Sequence, residues 1–260
     1  MIPCNNKRWN IVELSDVDST NSWIHDKFSG AVIQSGTVAR SAFQSAGRGQ
    51  RGNSWQSESG ANLLFSFLHQ PKVFHATNQF LLSQAVSLAV VQWLLPYTPL
   101  ACIKWPNDIY VGEKKIAGIL IENILVGHLV DASIIGIGIN INQTDFSSDL
   151  PNPTSLALLT NWHYDVAEEL VKLLNCMENS LQVLEEKKYE TLTFDYTQHL
   201  LRYQKPGLFM ANCETFSAQI IEVKPWGEIV LQLEDGSLRE YGFKEVSHVF
   251  ESTKNTSIIV

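Results

Sequence analysis

The sequence predicts an α+β fold, and three observations carry that prediction. In the middle of the chain, residues 101–104, 109–111, 116–121 and 129–141 read as extended apolar runs, separated by the turn signals Gly112-Glu113-Lys114 and Val126-Gly127. Strands joined by such short turns pair antiparallel, which excludes a doubly wound parallel sheet. Helical periodicity stands on either side of this block, and beyond Lys205-Pro206-Gly207 the composition shifts to short strands alone.

The elements follow in order. Residues 10–14 form a first strand, and Asp18-Ser19-Thr20 supply cap chemistry for a helix carrying Trp23, Ile24 and Phe28, stopped by Gly30. Residues 37–43 are a strand that delivers the chain into a glycine- and arginine-rich loop. Residues 62–69 are a second apolar strand, ended by Pro71. Residues 78–95 fit an amphipathic helix, with Leu82, Ala85, Val86, Ala89 and Trp93 on one face. After the central strands the chain is helical again from Thr154. Asp165-x-x-Glu168 has the form of a capping box before the apolar face of Val166, Leu170, Leu173, Leu174, Met177, Leu181 and Leu184. The last part has turns at Lys224-Pro225-Trp226-Gly227 and Glu234-Asp235-Gly236-Ser237, and reads as a small barrel of SH3-like size. Two domains are expected, at 1–205 and 206–260, with a loose tail from Ser252.

Composition narrows the function classes. With 260 residues, 45% hydrophobic and 18% charged, the chain is globular and long enough for one or two domains. A net charge of −8 and a pI near 5.4 argue against a general nucleic-acid binder, so any positive patch is local. Cys4, Cys102, Cys176 and Cys213 form no C-x-x-C pair, which argues for neither zinc nor disulfides and for a reducing, cytoplasmic compartment. The N-terminal residues carry no apolar signal segment. The most apolar stretch, 80–95, is too short and too interrupted by polar residues to span a bilayer.

Three runs carry chemistry. The first is Gln44-Ser45-Ala46-Gly47-Arg48-Gly49-Gln50-Arg51-Gly52-Asn53-Ser54-Trp55, where glycines allow close backbone approach and arginines suit carboxylate or phosphate oxygens. On its own it fits a flexible surface loop equally well. The second is Lys104-Trp105-Pro106-Asn107-Asp108, followed across a tight turn by Lys115, which is either an anion contact or a surface lysine. The third is Ile135-Gly136-Ile137-Gly138-Ile139-Asn140. Ile141 breaks the dinucleotide fingerprint, so Gly138 and Asn140 suggest close backbone approach and one reading amide.

Taken in order, Asp18-Ser19-Thr20-Asn21, the Gln44 to Trp55 run, Lys104-Trp105-Pro106-Asn107-Asp108, Lys115-Ile116-Ala117-Gly118-Ile119-Leu120 and Gly136-Ile137-Gly138-Ile139-Asn140 resemble the biotin protein ligase family. The likeness covers nearly the whole chain and is strongest between residues 18 and 142. It implies a catalytic domain related to class II aminoacyl-tRNA synthetases, with a mixed sheet backed by helices and an SH3-like domain after it. It implies a two-step reaction that uses ATP with Mg²⁺. Biotin's carboxylate attacks the α-phosphate to give biotinyl-5′-adenylate, and the amine of a lysine on a biotin carboxyl carrier protein then takes the acyl group. The resemblance gives Arg48, Lys115 and Asp108 the catalytic roles. Ser19, Thr20, Gln44, Gly47, Arg48, Lys115 and Gly118 fall at the biotin, and Arg51, Trp55, Asn107 and Asn140 at the ATP or adenylate. It places Mg²⁺ on the phosphates near Asp108 rather than in a protein metal site. Family members often dimerise through a sheet edge.

Two departures stand out. Gln50 replaces the middle arginine frequent in bacterial relatives, and the first strand begins so early that no winged-helix DNA-binding domain is expected, which is the monofunctional type. The rival readings are a lipoate–protein ligase of the same fold and a non-catalytic RNA-binding protein. K-W-P-N-D with G-R-G-x-R-G favours biotin over lipoate, and the acidic balance disfavours RNA.

Overall fold

The structure, a computed structural model, describes residues 8–250, with the side chain of Arg51 excepted. Cys4, the N-terminal residues read for a signal segment and the tail from Ser252 lie outside the described residues. The chain divides into two compact units, the second beginning at Arg202.

The first unit is built on a seven-stranded sheet. Its strands are β1 (Asn10–Val17), β2 (Thr37–Gln44), β3 (Leu63–His69), β4 (Ala101–Lys104), β5 (Asp108–Val111), β6 (Lys114–Val126) and β7 (Leu129–Ile139). Their order is β1-β2-β3-β7-β6-β5-β4. Only β1 and β2 run parallel, joined through α1 (Thr20–Ser29); every other neighbouring pair is antiparallel. The hairpin pattern read from the turns is therefore borne out. Gly112 and Gly127 sit in those turns with φ of 59° and 62°, conformations an L side chain resists. β3 is buried at every position, because both faces of the sheet are covered there. On one face α1 packs Ile24 against Ala39, Leu68, Ala132 and Ile134.

The helices show where periodicity alone misleads. α2 (Gln79–Leu94) was expected to present one apolar face, yet it is buried around nearly its whole circumference, Gln84 and Ser87 included. The reason is its position, in contact with β4 and β5, α4 (Val166–Glu185) and α5 (Tyr189–Gln198). The short helix α3 (Leu156–Thr160) precedes α4. α4 keeps the amphipathic face read from its sequence, and Asp165 caps it by accepting from Ala167 N and Glu168 N. Glu169 on the same helix is buried and satisfied: it accepts from Trp93 Nε1 at 3.0 Å and Tyr97 Oη at 2.7 Å, and pairs with Lys172 at 2.7 Å. α5 carried no sequence expectation. Ser19 occupies the N-cap of α1 without a side-chain cap bond; Asp18 instead accepts from the Ser19 backbone at 2.6 Å.

The second unit is a five-stranded antiparallel sheet of β8 (Gly207–Ala211), β9 (Glu214–Val223), β10 (Ile229–Leu233), β11 (Leu238–Tyr241) and β12 (Ser247–Val249), in the order β11-β10-β9-β8-β12. The Asp-Gly turn is as read: Gly236 has φ of 82°, and Asp235 accepts from both the backbone and the hydroxyl of Ser237.

Candidate functional site

The glycine/arginine run is not a loose string. It leaves β2 pinned by Ser45 N to Val17 O and Ala46 N to Asp18 O, both at 2.9 Å. It then folds back on itself. Trp55 N donates to Gly47 O at 2.9 Å, Gly49 N to Asn53 O at 2.7 Å, and Arg48 bridges Ser54. The reversal uses a single 3-10 turn, Gln50–Gly52, with Gly52 at φ 87°. Gly47 has to be glycine, since a Cβ there would stand 2.6 Å from Trp55 O. Arg51 falls in the turn.

The closed loop seats its tryptophan on the sheet. Asp108, Gly118 and Gly138 face one another across β5, β6 and β7. The Trp55 indole lies over the two glycines: a Cβ on Gly138 would be 2.5 Å from its Cε2, and one on Gly118 would be 3.0 Å from its Cζ3. The indole Nε1 is buried and has no hydrogen-bond partner among the described residues. Lys115 Nζ stands 5.8 Å from the ring centroid and pairs with Asp108 at 2.7 Å. Lys104 Nζ lies 4.0 Å from the same carboxylate. Burial pulls the Lys104 ammonium below the usual lysine range, with Lys115 adding to the effect and Asp108 opposing it. Two lysines, one carboxylate and one indole thus share this end of the site.

The other end is a buried polar chain. Gln44 Oε1 accepts from Thr20 N at 2.7 Å and lies 3.0 Å from Thr20 Oγ1. Thr20 Oγ1 is 2.6 Å from Ser66 Oγ, which donates to Asn21 Oδ1 at 2.5 Å. Asn21 Nδ2 donates to Glu122 Oε2 at 2.8 Å, and the same oxygen receives Arg48 Nη2 at 2.7 Å. With Ser66 donating to Asn21, the single Thr20 hydroxyl proton is shared between Gln44 Oε1 and Ser66 Oγ, and its lone pairs stay open to an incoming N–H. Asn21 has its own glycine seat, because a Cβ on Gly136 would fall 2.1 Å from Asn21 Oδ1.

The structure thus brings Thr20, Gln44 and Arg48 into one chain, and Trp55, Asp108, Lys115 and Gly118 into one cluster. Ser19 is buried at the start of α1, beside Thr20. Two amides have structural bonds: Asn107 Nδ2 donates to Ile119 O at 2.6 Å and Asn140 Nδ2 to Thr154 O at 2.9 Å. The Asn140 bond steadies the 152–154 segment, which holds Lys115 through Lys115 N to Asn152 O and Thr154 N to Lys115 O. Asn21, Ser66 and Glu122 were not assigned site roles from the sequence. Ser66 had a visible signal, as a lone hydroxyl inside Leu-Leu-Phe-Ser-Phe-Leu. Glu122 lies on the strand face that carries Gly118, two alternations further along β6. Among the described residues no three His, Cys, Asp or Glu side chains gather to hold a metal. Asp108 is already engaged by Lys115, so the residues do not fit a resident Mg²⁺ cage.

Comparison with known proteins agrees with this fold. Residues 14–140 match the Biotin/lipoate A/B protein ligase family. The bifunctional ligase/repressor BirA of Bacillus spizizenii is 31% identical over 219 residues, 79% of this chain and 64% of that protein. The biotin--[acetyl-CoA-carboxylase] ligase of Paracoccus denitrificans is 34% identical over 131 residues, 49% of this chain and 53% of that protein. The chain spans roughly half of the curated relatives it matches, from 40% to 64% for the BirA proteins of Escherichia coli and Bacillus. The solved biotin protein ligase from Aquifex aeolicus, in complex with biotin and ATP, superposes with a TM-score of 0.76 at 28% identity, covering 92% of this chain and 98% of that one. With the mixed sheet, the Gln44 to Trp55 loop and the Lys104 to Asp108 turn all inside the matched fold, residues 14–140 of this chain form a domain of the biotin/lipoate A/B protein ligase family.

Proposed function

We propose that this chain is an ATP-dependent biotin protein ligase acting on a biotin carboxyl carrier protein, a biotin--[acetyl-CoA-carboxylase] ligase. One observation carries the reading: a polar chain suited to a ureido ring ends on Arg48, and Lys115 stands 5.8 Å from the ring of the tryptophan that closes the same loop. Thr20 Oγ1 accepts a ureido N–H, and the Gln44 amide faces the same head group. Biotin's carboxylate then points toward Arg48 and Lys115. Two anions must meet in the first step, and these cations lower the repulsion between carboxylate and α-phosphate. A carboxylate oxygen bonds to the α-phosphorus, and pyrophosphate leaves with the electron pair of the broken P–O bond. In the second step the neutral ε-amine of the carrier lysine bonds to the acyl carbon. AMP departs, and the amine loses its proton. Asp108, held by Lys115, lies beside this centre as the carboxylate that orients the incoming amine. Trp55 and Arg51 belong at the adenylate side, with Gly47 making room for the Trp55 carbonyl and Gly118 for its indole. Mg²⁺ enters as the ATP salt.

The test is incubation with biotin, Mg·ATP and a biotin carboxyl carrier domain, with a mass readout. Addition of one biotin to the carrier is expected. No addition, with pyrophosphate exchange that depends on lipoate in place of biotin, would overturn the reading.

A further inference from the structure

Glu122 has no role in the chemistry above, yet it joins the buried polar chain to the arginine of the loop. One carboxylate oxygen takes Asn21 Nδ2 at 2.8 Å and Arg48 Nη2 at 2.7 Å. Asn21 cannot easily follow a moving partner. It is 3% exposed, fixed by Ser66 and seated against Gly136. Glu122 is therefore anchored from the pocket side and offers Arg48 a negative partner from the loop side. We infer that Glu122 is a positioning residue that competes with the ligand's carboxylate for Arg48.

The inference deepens the proposed function and rests on the reading of Arg48 as the ligand's anion contact. A guanidinium placed between two carboxylates must share its charge, and the two anions repel each other. Glu122 thus sets Arg48 at the pocket mouth and also limits how tightly an anionic ligand is held there. A neutral ligand filling the same head-group pocket meets no such competition. The Arg48 and Glu122 side chains are 44% and 38% exposed, so solvent screens the pair and the effect is modest.

Glu122→Gln keeps the shape and removes the charge. Calorimetry should show biotin binding about two- to fivefold tighter in this variant, with biotin methyl ester unchanged. Equal changes for both ligands, or weaker biotin binding, would overturn the inference. A second measurement needs no ligand at all. Phenylglyoxal labelling of Arg48, located by peptide mass, should quicken in Glu122→Gln by a similar factor. The control is Glu13→Gln, which removes the partner held by Arg40 at 3.0 Å and should quicken labelling at Arg40 alone. An unchanged Arg48 rate overturns the inference whether or not biotin binds. A wild-type chain that fails to bind biotin sinks the proposed function instead.

Discussion

Gly138→Ala is the sharpest probe of how the loop is seated. The new methyl would stand 2.5 Å from Cε2, 2.8 Å from Nε1 and 2.9 Å from Cδ2 of Trp55. Ordinary contact begins near 3.4 Å, so the indole must retreat by about 0.9 Å, and it has freedom to do so because it sits on a loop. The strand itself tolerates alanine. The half-buried indole hides about 100 Å² of the ~200 Å² an aromatic side chain of this size can bury, worth ~2.5 kcal/mol at ~25 cal/mol per Å². Losing the seat entirely would lower the ratio of seated to lifted loop by at most roughly sixtyfold. Fluorine NMR of 5-fluorotryptophan protein reads this directly. The chain has 7 tryptophans, and the resonance missing in Trp55→Phe is that of Trp55. In Gly138→Ala that resonance should move to a solvent-exposed position, with the thermal midpoint little changed. Gly118→Ala, whose methyl would be 3.0 Å from Cζ3, should do the same more weakly. A Trp55 resonance that stays in place, or a larger effect at Gly118 than at Gly138, would refute the seat.

Other outcomes follow from the same geometry. Lys115→Ala should slow biotin-dependent pyrophosphate exchange about a hundredfold or more, or ~3 kcal/mol, and a near-normal rate would remove Lys115 from the chemistry. Gln50→Arg adds a cation to the loop turn and should lengthen the half-life of bound biotinyl-adenylate; equal half-lives would show that charge at this position does not matter. His69 gives a pH dependence of stability. Burial, aided by the charge of Arg8, lowers its pKa from 6.5 to about 4, so the folded chain holds it neutral. An unfolded chain takes the proton at higher pH than the folded one, so this contribution is complete above pH 6.5 and is lost as pH falls toward 4. The gap corresponds to roughly 3 kcal/mol at the acid end. Urea unfolding at neutral pH and near pH 5 should show part of that loss, and His69→Asn should flatten it; a slope identical in wild type and variant would place the acid lability elsewhere.

The sequence and the structure agree best where local chemistry decides. Turn glycines 112, 127 and 236, the Asp165 cap and the hairpin order of β4 to β7 follow from a few neighbouring residues each. They diverge where tertiary position decides. α2 carries apolar residues on its exposed-looking side because α4 and α5 cover it, and no periodicity could say so. Within the site, Thr20, Gln44, Arg48 and Lys115 stood out through motif order. Asn21, though inside the Asp18 to Asn21 run, and Glu122 carried no assigned role, because their meaning lies in a bond between residues 101 positions apart. Gly136 is similar. It looked like part of a dinucleotide fingerprint that Ile141 breaks, and its stringent use is the space it leaves for an amide from α1.

The way the loop closes on itself has a consequence for its motion. Because Gly47 and Trp55, and Gly49 and Asn53, are tied to each other, the segment between them need not be ordered residue by residue when it swings onto the sheet. Fixing a free backbone costs ~1–2 kcal/mol per residue, so a nine-residue string would forfeit ~10 kcal/mol or more on closing. A self-tied flap loses freedom only at its two hinges, beside Ala46 and Gln56. The indole seated on two glycines and the Arg48–Glu122 pair are then the contacts that hold it against the sheet.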